Sequence, residues 1–63
     1  MRLDVQILKS KNTEFGRIYL ICKNPGKANK ETFHLIVEGE VDAFYNTIRK
    51  SMAEEAFNNY KEI

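Results

Sequence analysis

Cysteine, proline and glycine are scarce in this chain and tryptophan is missing: one cysteine, one proline and three glycines stand among 63 residues. A lone Cys22 cannot form an internal disulfide, which sets the chain apart from small secreted scaffolds stapled by several. So few glycines argue against a phosphate-cradling glycine-rich loop, and Gly26 and Gly39 read as turn residues instead. No apolar run approaches the ~20 residues needed to cross a bilayer, and Met1-Arg2-Leu3-Asp4 opens no apolar signal segment. The expectation is a soluble cytoplasmic protein. An excess of charge is missing too, with ten Lys/Arg against nine Asp/Glu. At this length the expectation is one small domain, residues 1–63, with no deep substrate cleft.

Three segments alternate with a period of two and carry β-branched and aromatic residues. Leu3, Val5 and Ile7 mark the first (about 2–8), Ile18, Leu20 and Cys22 the second (about 16–23), and Phe33, Leu35 and Val37 the third (about 32–38). Such alternation predicts strands. Polar residues from Ser10 to Gly16 and the run Asn24-Pro25-Gly26-Lys27 supply the turns. After Gly39 the period changes. Val41, Phe44, Tyr45, Ile48, Met52 and Ala56 fall at 3.6-residue spacing with no proline or glycine, which predicts one helix over about 40–61. Gly39 or Asp42 would cap it, and Lys61 would favour its C-terminal dipole. The expected fold is α+β: a three-stranded antiparallel meander followed by one long C-terminal helix packed on one face, β-β-β-α.

Register follows from matching apolar faces. Opposing Ile7 with Ile18, and Leu20 with Leu35, puts the three apolar triplets under the helix. The other face then gathers Leu8, Tyr19, Ile21 and Ile36, rimmed by Asp4, Arg17, Lys23 and His34, with Arg17 beside Glu38. A sheet face left to solvent is normally polar, so this patch reads as a docking surface. Beyond the strands, Ala53, Phe57 and Tyr60 form a second helical stripe, either a knob for another chain or a closure for the core. The expected partner-binding set is Leu8, Arg17, Tyr19, Ile21, His34, Ile36, Phe57 and Tyr60. Small size favours association, and a homodimer is expected.

Charge is uneven along the chain. Residues 1–30 carry seven basic and two acidic side chains, and residues 31–63 three basic and seven acidic. Lys9, Lys11, Arg17, Lys23, Lys27 and Lys30 therefore offer a competing reading as phosphate contacts, with Tyr19 and His34 placed to stack on bases. As bare element order, β-β-β-α resembles the sheet-reading DNA-binding domains of some phage integrases and of methyl-cytosine-binding proteins, but none of their motif residues is present. Three arginines are few for base readout.

Catalytic and metal chemistry have thin support. Cys22 and His34 fall on opposite faces by parity, and one Cys with one His cannot make a four-ligand zinc site. No cofactor, metal, small-molecule substrate or membrane is expected. Ile, Lys and Asn make up nineteen residues, which fits an A/T-rich gene and a phage- or plasmid-type origin. The reading is a non-enzymatic regulator, an inhibitor or modulator that docks on a protein.

Overall fold

A computed structural model describes residues 4–27, 29–40 and 42–63. The chain folds as a four-stranded antiparallel sheet with one C-terminal helix. The strands are β1 (Val5–Thr13), β2 (Gly16–Lys23), β3 (Thr32–Val37) and β4 (Tyr45–Thr47), and the helix is α1 (Lys50–Asn58). Strand order in the sheet follows chain order, β1-β2-β3-β4. The expected core residue Leu3 and stripe residue Val41 lie outside the described residues.

The β2–β3 pairing has the register that the apolar pattern demands. Ile18 faces Val37, Leu20 faces Leu35 and Cys22 faces Phe33. Ile18, Leu20, Cys22, Phe33 and Leu35 are buried, and Ala53 and Phe57 of α1 close the core above them. One bank of side chains therefore looks toward the helix and the other looks away, as strand parity requires.

The first hairpin departs from expectation. β1 continues to Thr13 and turns through Glu14-Phe15 alone, so the polar stretch from Ser10 is strand rather than loop. Gly16 takes a φ of +117° that an L side chain rarely adopts. The Thr13 hydroxyl accepts the Phe15 N–H (3.2 Å) and donates to the Gly16 carbonyl (2.7 Å), which fastens the turn. Near the middle, a β-bulge at Leu8 shifts the register between Ile7 and Lys9. One extra residue reverses parity. Val5 and Ile7 oppose Lys23 and Ile21 on the face away from the helix, whereas Lys9 and Lys11 oppose Leu20 and Ile18 on the helix side. The expectation that Val5 and Ile7 join the core is thus corrected: both are exposed, Ile7 at 61%. Leu8 is corrected in the other direction, since it packs against the core cluster instead of the open patch.

The long helix also gives way. Gly39 (φ +92°) turns the chain with a Glu40 N–H to Val37 carbonyl bond, and the chain then returns as β4. Phe44 N–H donates to the Leu35 carbonyl, and Tyr45 opposes Leu35. Tyr45 and Thr47 favour extended backbone, and pairing them satisfies the otherwise open edge of β3. Helix α1 starts only at Lys50, with Arg49, and not Gly39 or Asp42, at its N-cap position and no side-chain cap bond there. The Thr47 hydroxyl accepts the Arg49 N–H at 3.1 Å. Lys61 lies past the end of the helix. Nine residues span about 13 Å, so no turn overhangs the sheet. The buried stripe is Ala53 and Phe57, while Phe44, Ile48 and Met52 of the expected core stripe are exposed.

Candidate functional site

The face of the sheet away from α1 brings together five of the eight side chains in the expected docking set. Arg17, Tyr19 and Ile21 alternate along β2, with Ile36 opposite Tyr19 and His34 opposite Ile21. Tyr19, Ile21, His34 and Ile36 are half-buried among one another rather than fully exposed. On the β1 side Ile7 stands opposite Ile21 and Val5 opposite Lys23, so the bulge adds two apolar members that sequence parity had assigned to the core. No residue type marks the bulge in the sequence. Ser10 and Asn12 complete the face, opposite Tyr19 and Arg17.

The polar rim is ordered by its own contacts. The Arg17 guanidinium donates to the Asn12 amide oxygen (3.2 Å) and the Ser10 hydroxyl (3.0 Å), and lies 5.8 Å from the Tyr19 ring centroid. It makes no ion pair with Glu38, whose backbone N–H instead donates to the Arg17 carbonyl. Thr32 Oγ1 and His34 Nε2 share a hydrogen bond of 2.8 Å. Burial, with the nearby Lys23 ammonium, holds the His34 imidazole below its ordinary value. Among the described strand pairs of this face the charged residues, Arg17 and Lys23, are both basic.

Phe57 and Tyr60 leave the set. Phe57 is 5% exposed and belongs to the core, with the Lys11 ammonium 4.5 Å from its ring centroid. Tyr60 is half-buried against Phe15 (ring centroids 6.2 Å apart) and Phe44 (5.6 Å), on the helix side of the sheet. These two residues close the core instead of offering a knob. The physical reason is that the stripe Ala53-Phe57-Tyr60, and not the stripe through Ile48 and Met52, faces the sheet.

The alternative basic set is dispersed. Lys9 and Lys11 are on the helix side of β1, and the Lys11 ammonium donates to the Tyr60 carbonyl. Arg17 and Lys23 stand six residues apart on β2, about 20 Å. Lys27 and Lys30 belong to the β2–β3 loop, where Lys27 pairs with Asp4 at 3.3 Å.

The fold turns the charge bias along the sequence into two poles. At the end that holds the β1–β2 turn, the β3–β4 connection and the C-terminal tail lie Glu14, Glu38, Glu40, Asp42 and Glu62, all exposed, with Lys61. At the other end lie Lys23, Lys27, Lys30, Arg49 and Lys50, with Asp4 and Glu31.

Cys22 opposes Phe33 under the helix and His34 opposes Ile21 on the open face, so the sheet separates the thiol from the imidazole. Burial first, and then the Glu31 carboxylate, push the Cys22 thiol above its ordinary value, which leaves it a poor nucleophile. Among the described residues no three His, Cys, Asp or Glu side chains are grouped to hold a metal ion. None of the described helices is long and apolar enough to cross a membrane. Comparison with known proteins adds nothing. No family model, curated protein or solved structure matches the chain.

Proposed function

We propose that this chain is a non-enzymatic binding protein that docks on a protein partner through the open face of its sheet and modulates or inhibits it. The observation that carries the reading is the composition of that face. An apolar centre of Ile7, Tyr19, Ile21 and Ile36 is left uncovered by α1 and rimmed by Arg17, Lys23, His34 and Asn46. Aromatic and arginine anchors in a polar rim are the usual make-up of protein-binding surfaces. Arg17 and Lys23 on that rim favour a partner surface that is apolar with an acidic margin.

The test is affinity capture from an extract of the encoding organism, with wild type compared to Tyr19→Ala and Ile36→Ala. The expected result is a protein retained by wild type and lost by both variants, with circular dichroism spectra unchanged. Equal retention by both variants would remove the open face as the docking surface. Tyr19 and His34 beside two basic side chains also support nucleic-acid binding as a second reading. A mixed DNA or RNA probe that binds with an affinity falling steeply with salt would favour it instead.

A further inference from the structure

On the helix side, at the acidic pole, the short α1 leaves a corner of the sheet unroofed. There Phe15, Ile18, Val37, Phe44 and Tyr60 line an open cavity of about 260 Å³. Its walls are almost wholly apolar side chain, and three of the five are aromatic rings. Phe15 stands at 88° to Tyr60 and Phe44 at 72° to it. An aromatic face attracts a cation placed within about 6 Å of its centroid.

The charge around this cavity is of the complementary sign. Glu14 and Glu62, with Lys61, line an adjoining depression that shares Phe15 and Tyr60 with it. Glu38, Glu40 and Asp42 lie on the β3–β4 connection at the same end. Among the described residues none of these five carboxylates forms an ion pair. Of the basic groups nearby, Lys11 is committed to Phe57 and the Tyr60 carbonyl and Arg17 to the open face, which leaves Lys61. An uncharged apolar ligand would draw nothing from such a field. A bare ammonium would lose its hydration against walls that offer no acceptor. A methylated ammonium suits both conditions, since its charge is spread over an apolar shell.

We propose that this aromatic corner is a binding site for a small quaternary ammonium ligand of the choline type. It is independent of the open sheet face and involves no reaction.

Choline is titrated into the full chain and followed by NMR at the Phe15, Phe44 and Tyr60 ring signals, beside its neutral carbon isostere 3,3-dimethylbutan-1-ol. The expected result is saturable shifts at the three rings, with the isostere at least about tenfold weaker. Phe15→Ala, at a position 65% exposed and thus safe for the fold, should weaken choline at least about tenfold. The double variant Glu14→Gln/Glu62→Gln should weaken choline but not the isostere. No saturable shift, equal binding of the two compounds, or unchanged binding in Phe15→Ala would each overturn the site.

Discussion

His34 and Phe57 show how one side chain's surroundings set its role. Burial and the Lys23 ammonium favour the neutral form of the His34 imidazole, so its folded pKa lies below the ordinary 6.5. As pH falls, the unfolded chain takes up this proton first. The stability linked to His34 is therefore present above about pH 6.5 and lost as pH drops through the folded pKa. Urea unfolding should give a lower stability at pH 5 than at pH 7.5, and His34→Gln should narrow the gap. At the opposite face, Phe57→Ala empties the core beneath α1 and should cost about 3–5 kcal/mol, close to the whole stability of so small a chain. Phe15→Ala should cost under about 1 kcal/mol, because most of that ring is already in water. Thermal melts of the two variants check the contrast. The burial of Ile18, Leu20, Cys22, Phe33 and Leu35 was legible in the sequence. That of Phe57 was not, because two apolar stripes compete on the same segment and only packing chooses between them.

At the scale of elements, β1 and α1 carry the largest departures from what alternation and periodicity imply. β1 exposes Val5 and Ile7 in exchange for a tight, hydrogen-bonded turn and a longer ladder with β2. It also meets the hazards of an edge strand. The bulge at Leu8, the lysines at 9 and 11, and the Ile63 N–H donated to the Asn12 carbonyl interrupt the outer edge. Gly16 is the pivot of that turn. Besides its positive φ, a Cβ there would meet Val37 Cγ1 at 3.4 Å, so Gly16→Ala should destabilise by about 1 kcal/mol or more in a denaturant titration. Helix α1 begins without a side-chain cap and without an acidic residue in its first turn. Arg49→Ser supplies the missing acceptor and should raise stability by about 1 kcal/mol, read as a higher urea midpoint at unchanged slope. The 3.6-residue pattern from Val41 to Ala56 suggested a single helix because a short strand of three residues, Tyr45–Thr47, is too brief to register against it. Its existence depends on β3 offering an edge, a partner that periodicity does not represent.

The whole molecule is thin, 34 × 26 × 15 Å, because one helix covers one side of one sheet. That geometry leaves two surfaces with different chemistry, a broad open face with a basic rim and a small aromatic corner at the acidic pole. The poles follow from the meander. Successive turns alternate between the two ends of the sheet, so lysines of the β2–β3 loop collect at one end and carboxylates of the β1–β2 and β3–β4 connections at the other. Sedimentation at low salt should show a concentration-dependent head-to-tail association that disappears in high salt, if the poles meet as opposite charges do. A salt-independent monomer would show that their fields are too weak to link copies.

The residues by themselves determined the antiparallel order of the first three strands, the β2–β3 register, and the sharing of one face by Arg17, Tyr19, Ile21, His34 and Ile36. Alternation is a local property, carried by each strand alone, and no bulge interrupts the match of the β2 and β3 triplets. Tertiary structure decided the rest: the bulge that moves Ile7 outward and Leu8 inward, the return of Tyr45–Thr47 as an edge strand, and the stripe of α1 that meets the sheet. Each of these is a competition between nearly equal local options. The winner is the option that pairs backbone groups and fills space next to residues distant in the chain.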